Sequence, residues 1–392
     1  MSAFLLVTHG SAGDVLPFVR IGAELRARGH DVTLLTHAPF ATLGERGDLE
    51  FVAIDTAAQH ELTQRDSAAL LSAHRPADLR DYYERHGLFD QLRFEVSALA
   101  DRHRPGGTVL VGRHTSALSV LVAAELLGAP AAWVAVAPVQ LMVAPIARAH
   151  VRRGLAPGIE AVRGSFRLPP VTDWPAWLTS APLTLGLWPS WFDRAGVPAP
   201  ATVRLTDFVT GDGSATGAAV AADPRPLLVT GGTGELLHPR FYPVAIEAAA
   251  ALDRPVLAVA PRRDLLPARL PSTVEWHARL PFAEVVPRMA AILHHGGIGT
   301  AVRAMRAGTP QVVMAHGADR PDNAARLAAH GLARWHPEQD WDPAVVAASL
   351  HAAATGPRPP AGGTDDSRGP RLAAEALTAL LPLPTATAAG GG

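Results

Sequence analysis

The chain of 392 residues contains no cysteine. Disulfides, a thiolate nucleophile and a cysteine-held zinc are therefore excluded. Lysine is also missing, so all 35 basic residues are arginine. No lysine is available for a Schiff base or a phosphate-binding loop. No long apolar run occurs, whereas a bilayer span needs about 18 such residues or more. The opening MSAFLLVTHG has no basic region and too short an apolar run for a secretory signal. An excess of either charge is lacking as well: 35 basic against 36 acidic residues make no electrostatic case for nucleic acid or an anionic membrane. What remains is a chain that is 48% hydrophobic and long enough for two domains of ordinary size. It is expected to be soluble and cytoplasmic, with no metal and no resident cofactor. Monomer and homodimer both stay open.

Short apolar runs alternate with helical patterns. AFLLVT (3–8), DVTLLT, TVLVG (108–112) and AAWVAV read as buried strands, and VLPFVRIGAELRARGH reads as a helix closed by Gly29. Strand, helix, strand with short loops implies a parallel sheet. Residues 55–105 are rich in charge, histidine and tyrosine, which suits helices inserted over one end of that sheet. Residues 165–200, rich in proline and tryptophan, read as ordered but irregular chain. Small polar residues at 211–225 read as a linker. A second alternation starts at PLLVTGGTG (226–234) and runs through PVLAVA, VEWHARL, AAILHHGG and QVVMAHG. The expected architecture is α/β, with two doubly wound parallel sheets facing across a cleft. Residues 1–210 form the first domain and 226–356 the second, and 357–392 hold a flexible loop, a last helix and a disordered tail.

Parallel sheets bind ligands at the carboxyl ends of their strands. The loop after AAIL is the most informative. Gly296, Gly297 and Gly299 let a ligand approach the backbone, and Thr300 caps or starts the next helix. A helix N-terminus offers free N–H groups and about half a positive charge, so an anion is expected there, with His295 beside it.

These residues carry a resemblance. HHGGIGT, RAGTPQVV, the acidic residue that follows and NAARL, in that order, are similar to the nucleotide-sugar signature of the UDP-glycosyltransferase superfamily, which has a two-domain GT-B fold. RGHDVTLLT, VRLTDFVTGD, PLLVTGGTG and LPFAEVVPRMAAILHHGG extend the resemblance along the chain. It implies an inverting, metal-independent glycosyltransferase, with residues 1–210 binding the acceptor and 226–356 the nucleotide sugar. The donor diphosphate would lie on His295, Gly296, Gly297, Gly299 and Thr300, with Thr233 touching it. The nucleobase would lie against Ala278, Arg279 and Leu280. GDVLP resembles the branch that includes sterol glucosyltransferases and actinobacterial antibiotic glycosyltransferases. There an aspartate is the base, which implies Asp14. A capping role at the following helix is the competing reading of Asp14, and His9 is the alternative base.

Departures from the family pattern bear on the donor. The Asp/Glu–Gln pair that holds sugar hydroxyls is Asp319–Arg320 here, and arginine only donates. This points away from glucose and towards a deoxy, amino or acidic sugar. Arg303 replaces a carboxylate that contacts ribose, which is compatible with a dTDP-sugar as well as a UDP-sugar. His316 is a further candidate at the sugar. Tyr82, His86, His114, Gln140 and Trp174 are acceptor candidates by region, for a small natural product with a free hydroxyl. A nucleotide-sugar epimerase of the same architecture and a non-catalytic partner protein are the alternatives.

Overall fold

The computed structural model describes residues 1–67, 75–210, 225–233, 237–361 and 365–382. The expected linker at 211–225 lies, apart from Arg225, outside the described residues, and so does the tail beyond 382. The apolar runs become two all-parallel sheets. In the first, β1 (Ala3–Val7), β2 (Asp31–Thr36), β3 (Glu50–Ala53), β4 (Thr108–Arg113), β5 (Ala131–Ala135), β6 (Leu183–Gly186) and β7 (Val203–Leu205) lie in the order β3-β2-β1-β4-β5-β6-β7. In the second, β8 (Leu227–Thr230), β9 (Val256–Val259), β10 (Val274–His277), β11 (Ala291–His294), β12 (Gln311–Ala315) and β13 (Arg334–Pro337) lie in the order β10-β9-β8-β11-β12-β13. β1, β5, β8, β11 and β12 are buried at every position. Helices cover both faces, so the strands need continuous rather than alternating apolar residues.

Strand order reverses between β1 and β4 in one sheet and between β8 and β11 in the other. Each reversal sends neighbouring connections to opposite faces and leaves a crevice at the carboxyl edge. The loops after these four strands carry much of the candidate site.

Three expectations change. β3, β6 and β7 lie in stretches not read as strands, β6 inside the proline- and tryptophan-rich region. The segment from 356 is not free throughout: Arg358 donates to the Met289 and Pro287 carbonyls and to Thr309 Oγ1. The last helix, Arg368–Thr378, left in a segment of its own by the sequence, packs on helix Ala12–Ala27, burying Ala373, Ala374 and Leu377 in the first core. The insertion over the first sheet is helical as expected, with helices Ala57–Ser67, Pro76–Arg85 and Leu88–Asp101. Among the described residues no helix is long and apolar enough to cross a membrane.

The domains meet on a buried arginine. Arg326, in helix Arg320–Ala329, is 1% exposed. Its Nη1 donates to the Phe192 and Asp193 carbonyls at 3.0 and 2.6 Å, its Nη2 to the Val197 carbonyl at 2.9 Å, and its Nε to Asp322 at 2.8 Å. The guanidinium thus satisfies carbonyls at the end of a short helix of the first domain while anchored in the second. Replacing Arg326 by Met keeps the stem's packing but strands the Val197 carbonyl and the Asp322 carboxylate, and leaves the Phe192 and Asp193 carbonyls only their long backbone bonds from Ala195 and Gly196. The expected loss is about 3–5 kcal/mol, the usual cost of breaking a buried charged network. It is read as a lowered Tm in calorimetry.

Candidate active site

On the second domain, β11 ends in His294 and the chain turns through His295 and Gly296 into helix Ile298–Arg306, capped by Gly297. The helix begins two residues before Thr300, so the expected start shifts and Thr300 sits in the first turn. The N–H groups of that turn have no carbonyl within the helix to bond. A Cβ on Gly299 would meet nothing within 4 Å, so the space beside this turn is open. The His295 ring is wedged between two glycines. A Cβ on Gly232 would lie 2.4 Å from its Cε1, and one on Gly297 2.5 Å from its Nε2. Its Nδ1 is buried without a hydrogen-bond partner. Burial, and next the Arg320 charge, hold its pKa well below the usual histidine value, so the ring is neutral. Thr233 stands exposed at the lip beside Gly232.

His294 is structural. Its Nδ1 accepts from the Gly296 N–H at 3.2 Å and its Nε2 donates to Gln311 Oε1 at 3.0 Å. Gly296 adopts φ +95°, and a Cβ there would press on the Arg320 carbonyl and on Val313, so this turn requires glycine. The loop Ala278–Arg279–Leu280 follows edge strand β10, with Ala278 and Arg279 exposed and Leu280 packed on the apolar cluster around Val286. Three strand spacings, roughly 14 Å, separate β10 from β11. Asp319 precedes helix Arg320–Ala329 and accepts from Asn323 Nδ2 at 2.8 Å. Burial raises its pKa, and the Asp14 charge across the cleft adds to the rise. Arg320 donates from Nη1 to the His316 carbonyl. His316 is engaged elsewhere than expected: its Nδ1 meets Glu338 at 2.6 Å, a carboxylate shared with His238.

On the first domain, Asp14 lies at the third position of helix Ala12–Ala27, with Ser11 as the cap. The helix starts before Val15, where it was expected. Asp14 Oδ2 accepts from the Ser11 N–H at 2.9 Å and the Ser11 hydroxyl at 3.1 Å; Oδ1 accepts from Arg113 Nε at 3.0 Å and meets Arg113 Nη2 at 2.8 Å. Four donors thus fill the roughly four lone-pair directions of the carboxylate. His9 is arranged differently. Its Nε2 meets Glu95 Oε1 at 2.8 Å. Glu95, on helix Leu88–Asp101, is 1% exposed and also accepts from Ser119 and Gln91. Burial opposes its charge, yet His9, Ser119 and Gln91 together hold its pKa below the usual carboxylate value. An ionised carboxylate only accepts, so His9 carries a hydrogen on Nε2, and in its neutral form the lone pair is on Nδ1.

The regional acceptor candidates divide. The Tyr82 hydroxyl donates to the Thr63 carbonyl at 2.9 Å, His86 faces Asp66 at 3.2 Å, and Trp174 packs on Trp177 with ring centroids 5.4 Å apart. The Tyr82 hydroxyl is thus spent within the scaffold and Trp174 packs on its neighbour, whereas His86 Nε2 is buried and forms no hydrogen bond. Gln140 braces the end of β5 by accepting from the Val136 N–H. His114 does border a cavity, with Thr115, Trp133 and Arg148, and its Nδ1 has no partner. Thr115 holds φ +68°, strained for a β-branched residue. Arg113 and Glu95 were not singled out in the sequence. The available signals were an arginine at the end of an apolar strand and a glutamate on the buried face of an amphipathic helix.

Buried neutral histidines give the fold a pH dependence. Burial lowers His294 to about 4, against about 6.5 in an unfolded chain. Between those values the unfolded chain takes a proton that the native state refuses, so stability falls as pH drops from about 6.5 towards 4. Tm measured against pH is expected to decline over this window. Replacing His294 by Asn, which can still accept from Gly296, is expected to make the decline shallower.

Comparison with known proteins agrees with this geometry. Residues 4–86 match the family model of the glycosyltransferase family 28 N-terminal domain, and residues 244–384 match that of the erythromycin biosynthesis protein CIII-like C-terminal domain. The O-mycaminosyltylonolide 6-deoxyallosyltransferase of Streptomyces fradiae is 29% identical, over 90% of each chain. The glycosyltransferase of kitacinnamycin superposes with a TM-score of 0.70 at 22% identity, covering 97% of this chain and 99% of that one. The glycosyltransferase VinC, solved with dTDP, gives 0.66 at 20% identity, covering 97% and 96%. With two glycosyltransferase models matched in chain order and a relative aligned along nearly the whole sequence, the chain has the GT-B fold, is similar to actinobacterial natural-product glycosyltransferases, and is itself a glycosyltransferase.

Proposed function

We propose that this enzyme transfers a deoxy or otherwise modified sugar, with inversion, from a dTDP- or UDP-sugar to a hydroxyl of a small natural product in the cytoplasm. The observation that carries this reading is the cradle at His295: an unpartnered neutral imidazole between two obligate glycines, beneath the open first turn of helix Ile298–Arg306. Such a cradle suits a diphosphate. A relative named as a 6-deoxyallosyltransferase and a structural neighbour solved with dTDP favour a dTDP-deoxysugar.

His9 is the base in this mechanism. Glu95 holds Nε2–H, and the free Nδ1 takes the proton of the acceptor hydroxyl as its oxygen attacks the anomeric carbon. The bond from that carbon to the diphosphate oxygen breaks on the opposite face. The first-turn N–H groups, His295 and the nearby Arg320 charge receive the leaving diphosphate. This positive potential stands where other enzymes use a divalent ion, so no metal step and no cofactor is invoked. Asp14, saturated by Ser11 and Arg113, shapes the loop rather than accepting the proton.

Calorimetry with dTDP and UDP tests the donor side, and binding of at least one is expected. Nucleotide release from dTDP-glucose, dTDP-rhamnose and UDP-glucose, with water as the probe acceptor, tests the chemistry. His9→Asn is expected to lower kcat by about 10²- to 10⁴-fold, the range for loss of a general base, while nucleotide affinity holds. Asp14→Asn should retain measurable turnover. Loss of activity in Asp14→Asn alone returns the base role to Asp14. A sugar epimerised without release, seen by NMR, replaces transfer with epimerisation.

A further inference from the structure

Behind the loop that carries His9 stand His37, Asp55 and His60, whose ligand-type atoms all lie within 4.8 Å of one another. Two histidines and a carboxylate at that spacing suggest a metal. The hydrogen bonds point to another role. The Gly10 N–H donates to His37 Nε2 at 3.1 Å. An amide nitrogen can only donate, so Nε2 presents its lone pair and the ring hydrogen sits on Nδ1. That hydrogen faces Asp55 Oδ2, 2.6 Å away, while Asp55 Oδ1 accepts from the Ala38 N–H at 2.9 Å. A metal on Nδ1 would drive the ring hydrogen to Nε2, against the Gly10 amide. His60 stacks on His37 with centroids 4.3 Å apart, and its Nδ1 stays 3.9 Å from Asp55, beyond hydrogen-bond distance.

The held amide matters because of where it is. Gly10 adopts φ +117°, and a Cβ there would lie 2.4 Å from Asp14 Oδ2. This position requires glycine, which by itself is the least restrained residue of the chain. The peptide between His9 and Gly10 therefore needs an external hold, and His37 supplies it. Tilting that peptide would swing the His9 ring away from Glu95.

We propose that His37, its tautomer fixed by Asp55, is a positioning residue that clamps the His9–Gly10 peptide and so aims His9 Nδ1 at the acceptor oxygen. The inference rests on His9 being the base.

The test pairs two variants of similar bulk. His37→Leu removes the acceptor for the Gly10 N–H, and His37→Gln offers a side-chain oxygen in its place. In the nucleotide-release assay, His37→Leu is expected to lose about 10²-fold in kcat, the cost of a misplacement of the order of 1 Å, with KM for the donor unchanged. His37→Gln should recover most of that loss. In the full chain labelled with ¹⁵N-histidine, His37 should show hydrogen on Nδ1 and none on Nε2, and Asp55→Leu should shift it to Nε2. Wild-type kcat in His37→Leu, alongside an inactive His9→Asn, overturns the clamp and leaves the base assignment standing. Wild-type kcat in His9→Asn overturns the base assignment and the clamp with it. Hydrogen on Nε2 of His37 in the wild type, or a Co²⁺ absorption band that His37→Leu abolishes, also overturns the clamp, the latter in favour of a metal.

Discussion

The guanidinium of Arg326 sets the relation between the two halves of this enzyme. It is buried at the seam, and its hydrogens are spent on carbonyls of one domain and a carboxylate of the other. A charge in that position is tolerated only while every partner stays in place. The same helix reaches the glycine turn that follows β11. One turn earlier, Asn323 donates to the Gly296 carbonyl and to Asp319. A single helix therefore joins the domain seam, the glycine turn at Gly296 and Asp319.

The two sides of the cleft use glycine for opposite ends. Around His295, Gly232 and Gly297 vacate space so that an imidazole can be pressed into a position with no partner for Nδ1. Around His9, Gly10 allows a backbone turn that is then locked from outside by His37. In the first case the protein leaves a buried hydrogen-bonding atom unmet, and in the second it removes freedom from the backbone beside His9. The absence of lysine fits the same economy of charge. Fixed positive charge comes from arginine, and the histidines of the donor loop are neutral because burial disfavours their protonated form.

The carboxylates are likewise sorted by surroundings. Asp14 is paired to an arginine, Glu95 to an imidazole and a hydroxyl, and Asp319 to an amide with a raised pKa. Only the pair with Glu95 leaves a basic lone pair directed away from it. Three acidic groups of similar intrinsic strength thus take three roles through their neighbours alone.

The sequence by itself determined the two-sheet architecture, because fully buried parallel strands need unbroken apolar runs and the runs are there. It also determined the glycine turn ahead of helix Ile298–Arg306, because glycine spacing and a helix start are local features of consecutive residues. Where apolar runs were short or crowded by proline and tryptophan, as in β6 and β7, the pattern was too weak to read. The pairings that separate His9 from Asp14 could not be read either. Glu95 stands 86 residues from His9, and Arg113 stands 99 from Asp14. Contacts over such separations follow from how helices and strands pack, and only the tertiary structure decided which carboxylate was spent and which imidazole was left free.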